Sequence, residues 1–223
     1  TATSGSENVG VGQESLHLLT TGSHNTAIGS KALRTMTTAG QNTAVGYYAM
    51  HNNTTGGLNT AIGRMALFHN TTGQMNVAIG YNSMYLSNVD GYNTAVGANS
   101  LASNTSGSSN VAVGYRTLAT ASTATSNTAV GYESLEDTTT GSFNTALGLR
   151  SLFVATTGAQ NVAIGNEAGM SVTTGTENVI IGTFAGSSNG SSTNGITTGT
   201  ANIAIGLGAM AGDGTAVTGS NNI

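Results

Sequence analysis

The chain has no cysteine, no proline and no tryptophan, and only 6% of its residues are charged and 5% aromatic. Without Cys there is no disulfide framework, no thiolate metal site and no cysteine nucleophile. Five Lys and Arg against nine Asp and Glu cannot make the basic footprint that phosphate backbones require, so nucleic acid is not an expected partner. No apolar run approaches the roughly 20 residues needed to cross a bilayer, so this segment is not expected to insert into a membrane. What fills the chain is small and polar: Gly, Thr, Asn and Ser together occupy 117 of 223 positions. A hydrophobic content of 38% is low for a packed globule of this length. Low complexity at low net charge would be compatible with disorder, but the spacing of the residues argues otherwise.

Asn recurs at 8, 25, 42, 59, 76, 93, 110, 127, 144, 161 and 178, always 17 apart, and then at Asn202 and Asn222 after intervals of 24 and 20. Numbered from that Asn, the unit reads N-[T/V]-A-[I/V]-G-x-x-[A/S]-[L/M]-x-x-x-T-T-G-x-x. Asn at position 1 and Gly at position 5 occur in all twelve complete copies, as in Asn25 and Gly29, Asn42 and Gly46, and Asn59 and Gly63. Position 4 is always aliphatic. An aliphatic column held in phase over twelve copies predicts a solenoid. Seventeen residues are too few for two-helix repeats, and β-branched residues alternate with small ones over positions 1 to 5, which is a strand signal. The expected fold is therefore an all-β parallel β-solenoid with 17-residue rungs, rising about 4.8 Å per rung. Each rung is predicted to hold a strand at its start, a second short strand around positions 7 to 11, and corners at the glycine of position 5 and at Thr-Thr-Gly. The whole chain, 1–223, reads as one solenoid: regular rungs over 8–186, a rung with a seven-residue insertion over 178–201, and a last complete rung over 202–221. No atypical capping rung closes either end, so the expectation is an excerpt from a longer fibrous protein.

Position 7 gives an independent check on stacking. It reads Glu14, Lys31, Tyr48, Met65, Asn82, Asn99, Arg116, Glu133, Arg150, Glu167, and every adjacent charged pair in that series is of opposite sign, as cross-strand neighbours require. The expected apolar columns are thin: Leu or Met at position 9, an aliphatic at 4 and a β-branched residue at 2. That scarcity argues for lateral association. Positions 2 and 4 face either the rung's own interior or a subunit interface, and the Asn, Ala and Gly face has little bulk to prevent close approach.

Catalytic chemistry is not expected. His17, His24, His51 and His69 do not form one ligand set, and no metal or cofactor is implied. Glu133, Glu136 and Asp137 read as a solvated corner, with Glu133 in the charge series. Two features suit binding. Position 6 holds Tyr47, Tyr81, Tyr115 and Tyr132, with Arg64 between the first two; aromatic faces suit sugars, and an Arg between Tyr rings suits cation–π contact. The alternative for that column is packing against a neighbouring chain. The insertion Ser187 to Ile196, with Asn189 and Asn194, reads as a loop able to carry binding or none.

The phased Asn-[Val/Thr]-Ala-Ile-Gly-x-x-[Ala/Ser] string, over Asn8 to Ile223, resembles the head repeats of trimeric autotransporter adhesins of the YadA type and the N-T-A-V-G-x-x-A-L repeats of phage tail-fibre-like proteins. The resemblance implies a left-handed β-roll, three chains around a common axis, and surface attachment. The rungs here are longer than those of the autotransporter heads, the Asn sits one place nearer the Ala-Ile-Gly string, and the Thr-Thr-Gly return is extra. Ile28-Gly29-Ser30-Lys31-Ala32 also fits a hexad of β-helix acyltransferases, but only one hexad fits per rung where three are needed. The functional expectation is an extracellular fibre segment, on a cell surface or in a virion tail fibre, that binds a cell-surface glycan or receptor as a homotrimer. The alternatives are a pure spacer shaft carrying a separate tip and, more weakly, an ice-binding solenoid built on the Thr pairs.

Overall fold

The computed structural model describes residues 4–88, 91–188, 191–212 and 216–223. Among these there is no helix, and the chain forms a parallel β-solenoid with rungs of about 17 residues. It divides into two compact units, Thr1–Ser109 and Asn110–Ile223.

In the first unit, β1 (Val9–Val11), β2 (Thr26–Ile28), β3 (Thr43–Val45), β4 (Thr60–Ile62), β5 (Val77–Ile79) and β6 (Thr94–Val96) follow one another. Each pairs in parallel with the next, one repeat on, so that Ala27 lies against Ala44, Ala44 against Ala61 and Ala61 against Ala78. In the second unit β7 (Val111–Val113), β8 (Thr128–Val130), β9 (Thr145–Leu147), β10 (Val162–Ile164) and β11 (Val179–Ile181) do the same. The insertions then intervene: β12 (Ser187–Ser188) and β13 (Ser191–Ile196) form an antiparallel pair. β14 (Ile203–Ile205) rejoins β11, and β15 (Ala216–Val217) lies parallel to β13. Much of the insertion expected as a loop is thus paired backbone.

The strand at positions 2 to 4 is as expected, but the second strand around positions 7 to 11 does not form. That stretch is a run of turns in which positions 7 and 9 adopt the left-handed backbone region, as does position 17: Lys31 at φ 61°, Leu33 at 48° and Gln41 at 61° in one rung. A non-Gly residue there costs on the order of 1–2 kcal/mol. The hydrogen bonding offsets it. Lys31 N–H donates backward to the Gln13 carbonyl at 2.8 Å, and Leu33 N–H donates forward to the Ala49 carbonyl at 3.1 Å. Left-handed residues at alternate positions let the turn bond to the rung on either side, as a strand would. At position 5 the constraint is stricter: Gly29 has φ 133°, and a Cβ there would run into the carbonyl of Gly46 in the next rung.

The interior holds positions 1, 3, 8, 9 and 12. Ala27, Ala44, Ala61 and Ala78 at position 3, and Leu33, Met50, Leu67 and Met84 at position 9, are fully buried. Asn at position 1 is buried with them, which corrects the expectation of an open Asn, Ala and Gly face. Positions 17, 2 and 4 take the outward half of the alternation, so the β-branched and aliphatic columns at 2 and 4 do not belong to the rung's own core. Two rungs lack a large residue at position 9, where Gly169 and Gly186 stand. There Ile180 replaces the usual Ala at position 3 and is fully buried; a Cβ on Gly169 would sit 3.0 Å from its Cδ1. Volume lost from one column is restored by its neighbour.

Candidate functional site: the aromatic and cationic columns

The corner after the glycine of position 5 puts position 6 at the surface. In the first unit Tyr47 and Tyr81 are each 46% exposed, and the Arg64 guanidinium lies between them, 5.9 Å from the Tyr47 ring centroid and 5.4 Å from that of Tyr81. The one-repeat register brings together the three residues that the sequence singles out. In the second unit Tyr115 and Tyr132 stack at 5.3 Å between ring centroids, with both rings exposed. Asn189 lies outside the described residues, and Asn194 falls on β13.

A second aromatic column runs beside the first and is not among the expected binding residues. His51, Phe68 and Tyr85 occupy position 10 of successive rungs and stack face to face, His51 on Phe68 at 5.3 Å and Phe68 on Tyr85 at 5.4 Å. Tyr48 abuts His51 at 4.8 Å, and its hydroxyl accepts from Lys31 Nζ at 2.8 Å. That bond holds the Tyr48 phenol below its ordinary value, with a further hydrogen bond from Tyr47 acting the same way. Burial holds the His69 imidazole below its ordinary value. Reading position 10 at the 17-residue interval for aromatics, rather than for His alone, reveals this column.

The charge series at position 7 is realised in part. Arg150 Nε donates to Glu133 Oε2 at 2.8 Å, as the alternating signs require. Arg116 instead reaches position 10 of the next rung, where Glu136 Oε1 accepts from its Nε at 2.8 Å and also from Nη2. Glu14 likewise accepts from Arg34, at position 10, at 2.7 Å, which lowers the Glu14 carboxyl and frees Lys31 for Tyr48. The corner is not solvated at Glu133 and Glu136, both of which are buried. Burial raises the Glu136 carboxyl despite the Arg116 pair. Position 10 lies across the turn from position 7, and Arg is long enough to choose between the two columns. Among the described arginines, Arg34, Arg116 and Arg150 each meet a carboxylate and Arg64 meets none.

The outward sheet face carries an aliphatic column at position 4. Ile28, Ile62, Leu147 and Ile164 at position 4 are exposed, and beside them stand Leu58, Met75, Tyr92 and Phe143 at position 17, the last two more than 60% exposed. On the Thr-Thr return the second hydroxyl column, including Thr38, Thr55, Thr140 and Thr157, faces solvent. The first turns its hydroxyls to the next rung: Thr54 Oγ1 donates to the Thr71 carbonyl at 3.0 Å and Thr139 Oγ1 to that of Thr156 at 2.9 Å. The Thr-Thr pair therefore presents one free column and not two.

Among the described residues no pocket forms, and no group of three or more His, Asp or Glu side chains could hold a metal ion. No family model, no curated protein and no solved structure matches the chain.

Proposed function

We propose that this chain is a segment of an extracellular attachment fibre, on a cell surface or a virion tail, that binds a cell-surface glycan through the aromatic column at position 6. The observation that carries this reading is the exposed Tyr47, Arg64 and Tyr81 stack. Flat rings held at the surface are what the apolar face of a pyranose packs against, and a site of this kind needs no pocket. The resemblance to trimeric adhesin heads and tail-fibre repeats points the same way.

The proposed assembly is a homotrimer with the chains around a common axis. Its support is the aliphatic column at position 4, joined at position 17 by Leu58, Met75, Tyr92 and Phe143. An exposed parallel sheet face lined by Ile62, Met75 and Tyr92 is an aggregation surface unless another layer covers it. A second and third copy would cover it with the same residues.

A glycan array with the purified chain tests attachment. Binding to a saccharide class that is lost in the Tyr47→Ala, Tyr81→Ala double variant is the expected result. A chain that retains no glycan on the array is instead a spacer shaft. Sedimentation equilibrium tests assembly: the expected species is three chains, reduced to one by Ile62→Lys with Met75→Lys. A monomeric parent chain at micromolar concentration would remove the trimer.

A further inference from the structure

We infer that Arg64, clamped between Tyr47 and Tyr81, is an anion-reading position, and that the saccharide this chain takes is an acidic one, carrying a carboxylate or a sulfate ester between two stacked sugar rings. The inference rests on the glycan reading above and narrows it.

Arg64 differs from the other described arginines in what it touches. Arg34, Arg116 and Arg150 are each neutralised by a carboxylate of their own unit. Arg64 has a ring on either side and meets no carboxylate among the described residues. Between Ser15 and Val89 the sequence contains Lys31, Arg34 and Arg64 and no Asp or Glu; Arg34 is taken up by Glu14, and the next acid in the sequence is Asp90, in the fifth rung. The Arg64 side chain is exposed, and a guanidinium offers a planar N–H fork that binds carboxylate or sulfate bidentately. The rings hold the fork in place before any ligand arrives, which reduces the ordering cost of binding.

The spacing fits a linear ligand. Tyr47 and Tyr81 are two rungs apart, about 10 Å at the strand separation of a β-stack, with Arg64 at the rung between. A saccharide running along the column would lay one ring on each tyrosine and bring an acidic substituent to the arginine. Neutral sugar would fill the tyrosines and leave the guanidinium edge to water.

The test is a binding titration of the purified chain against hexagalacturonate, its carboxyl-reduced hexagalactose counterpart, and a sulfated heparin hexasaccharide, at low and at physiological salt. The expected result is that one or both acidic probes bind, that the carboxyl-reduced probe binds more weakly, and that added salt weakens the acidic probes. The two acidic arms separate carboxylate from sulfate. Arg64→Gln should weaken the acidic probe by about tenfold or more, the scale of one lost charge-assisted bidentate contact, and leave the reduced probe unchanged. Arg64→Lys keeps the charge without the planar fork and should fall between the two. Equal binding of neutral and acidic probes, or acidic binding untouched in Arg64→Gln, overturns the inference and leaves the attachment reading standing. Binding of none of the three, together with an empty glycan array, overturns both. Sedimentation of Arg64→Gln is the control: dissociation of the assembly without a change in saccharide binding would make Arg64 an interface residue and overturn the inference.

Discussion

Asn42 is bonded twice to Asn25: its backbone N–H and its side-chain Nδ2 both donate to the Asn25 Oδ1, at 3.0 and 3.3 Å. The same Nδ2 donates forward to the Gly56 carbonyl at 3.0 Å, and Asn42 Oδ1 accepts the backbone N–H of Asn59 at 3.0 Å. One side chain thus ties three successive rungs in a buried setting where an unpaired polar group is costly.

Asn42→Ala should therefore cost more than the loss of a hydrogen bond. It leaves the buried Asn59 N–H without the partner it has now, at about 1–3 kcal/mol, while the Gly56 carbonyl keeps its bond from Asn53 Nδ2 at 2.8 Å. The expected loss is about 2 kcal/mol, read as a lower urea midpoint by circular dichroism. A loss under about 0.5 kcal/mol, the range of an ordinary surface substitution, would mean that the Asn column does not hold the rungs.

The period, the strands and the Asn column are legible in the sequence because each is a fixed residue type at a fixed interval. The side on which positions 2 and 4 lie is not, since Ala and Ile are both apolar and alternation alone does not name the inner face. The buried Asn at position 1 settles it, because positions 1 and 3 share a side. The turn at 6 to 11 is hidden for a different reason. Leu33 and Met50 at φ near 50° run against local preference, and what holds them is hydrogen bonding to other rungs, which no short window of sequence contains. Of the candidate site, the Tyr47, Arg64 and Tyr81 stack follows from the interval alone. The Arg116 and Glu136 pair does not, because it joins different columns.

The exchange of bulk between columns predicts opposite costs for opposite changes. Ile180→Ala removes a fully buried side chain that faces Gly169 and Gly186, and the cavity should cost about 2–4 kcal/mol. Ala78→Ile places the same side chain in a rung whose position 9 is Met84, also fully buried, and should destabilise by about 1–3 kcal/mol through overpacking. Thermal unfolding of both variants checks the pair. Neutral or stabilising behaviour of Ala78→Ile would show that the interior has room to spare and that Ile180 is not a compensation.

Position 12 carries an incomplete ladder. Asn70 Nδ2 donates to Asn53 Oδ1 at 2.9 Å, but the buried Asn70 Oδ1 has no hydrogen-bond partner among the described residues. Neither does the buried hydroxyl of Ser87, at the same position of the next rung. Serine is too short to repeat the contact. Ser87→Asn should extend the ladder, as Asn53 and Asn70 do at the same backbone position, and raise stability by about 1 kcal/mol. A lower melting temperature for this variant would mean that the site lacks space for the amide.

Two carboxyls should respond to pH with opposite sign. Glu14 is held low, first by its hydrogen bond from Arg34. A carboxyl lowered on folding contributes stability above its unfolded value, about 4.3, and loses it as the pH falls through the folded value. Glu136 is raised, first by burial, and its second oxygen is buried without a hydrogen-bond partner among the described residues. It takes up a proton on folding, so its contribution is most favourable below about pH 4.3 and declines as the pH rises through its folded value. Glu14→Gln should therefore lower the melting temperature more at pH 7 than at pH 3. Glu136→Gln should compare better with the parent chain at pH 7 than at pH 4, because the amide carries no charge to desolvate and still accepts from Arg116. Melting curves of the three proteins across that range measure both effects, and a Glu136→Gln variant that fares worse at pH 7 than at pH 4 would show that the Arg116 pair outweighs burial.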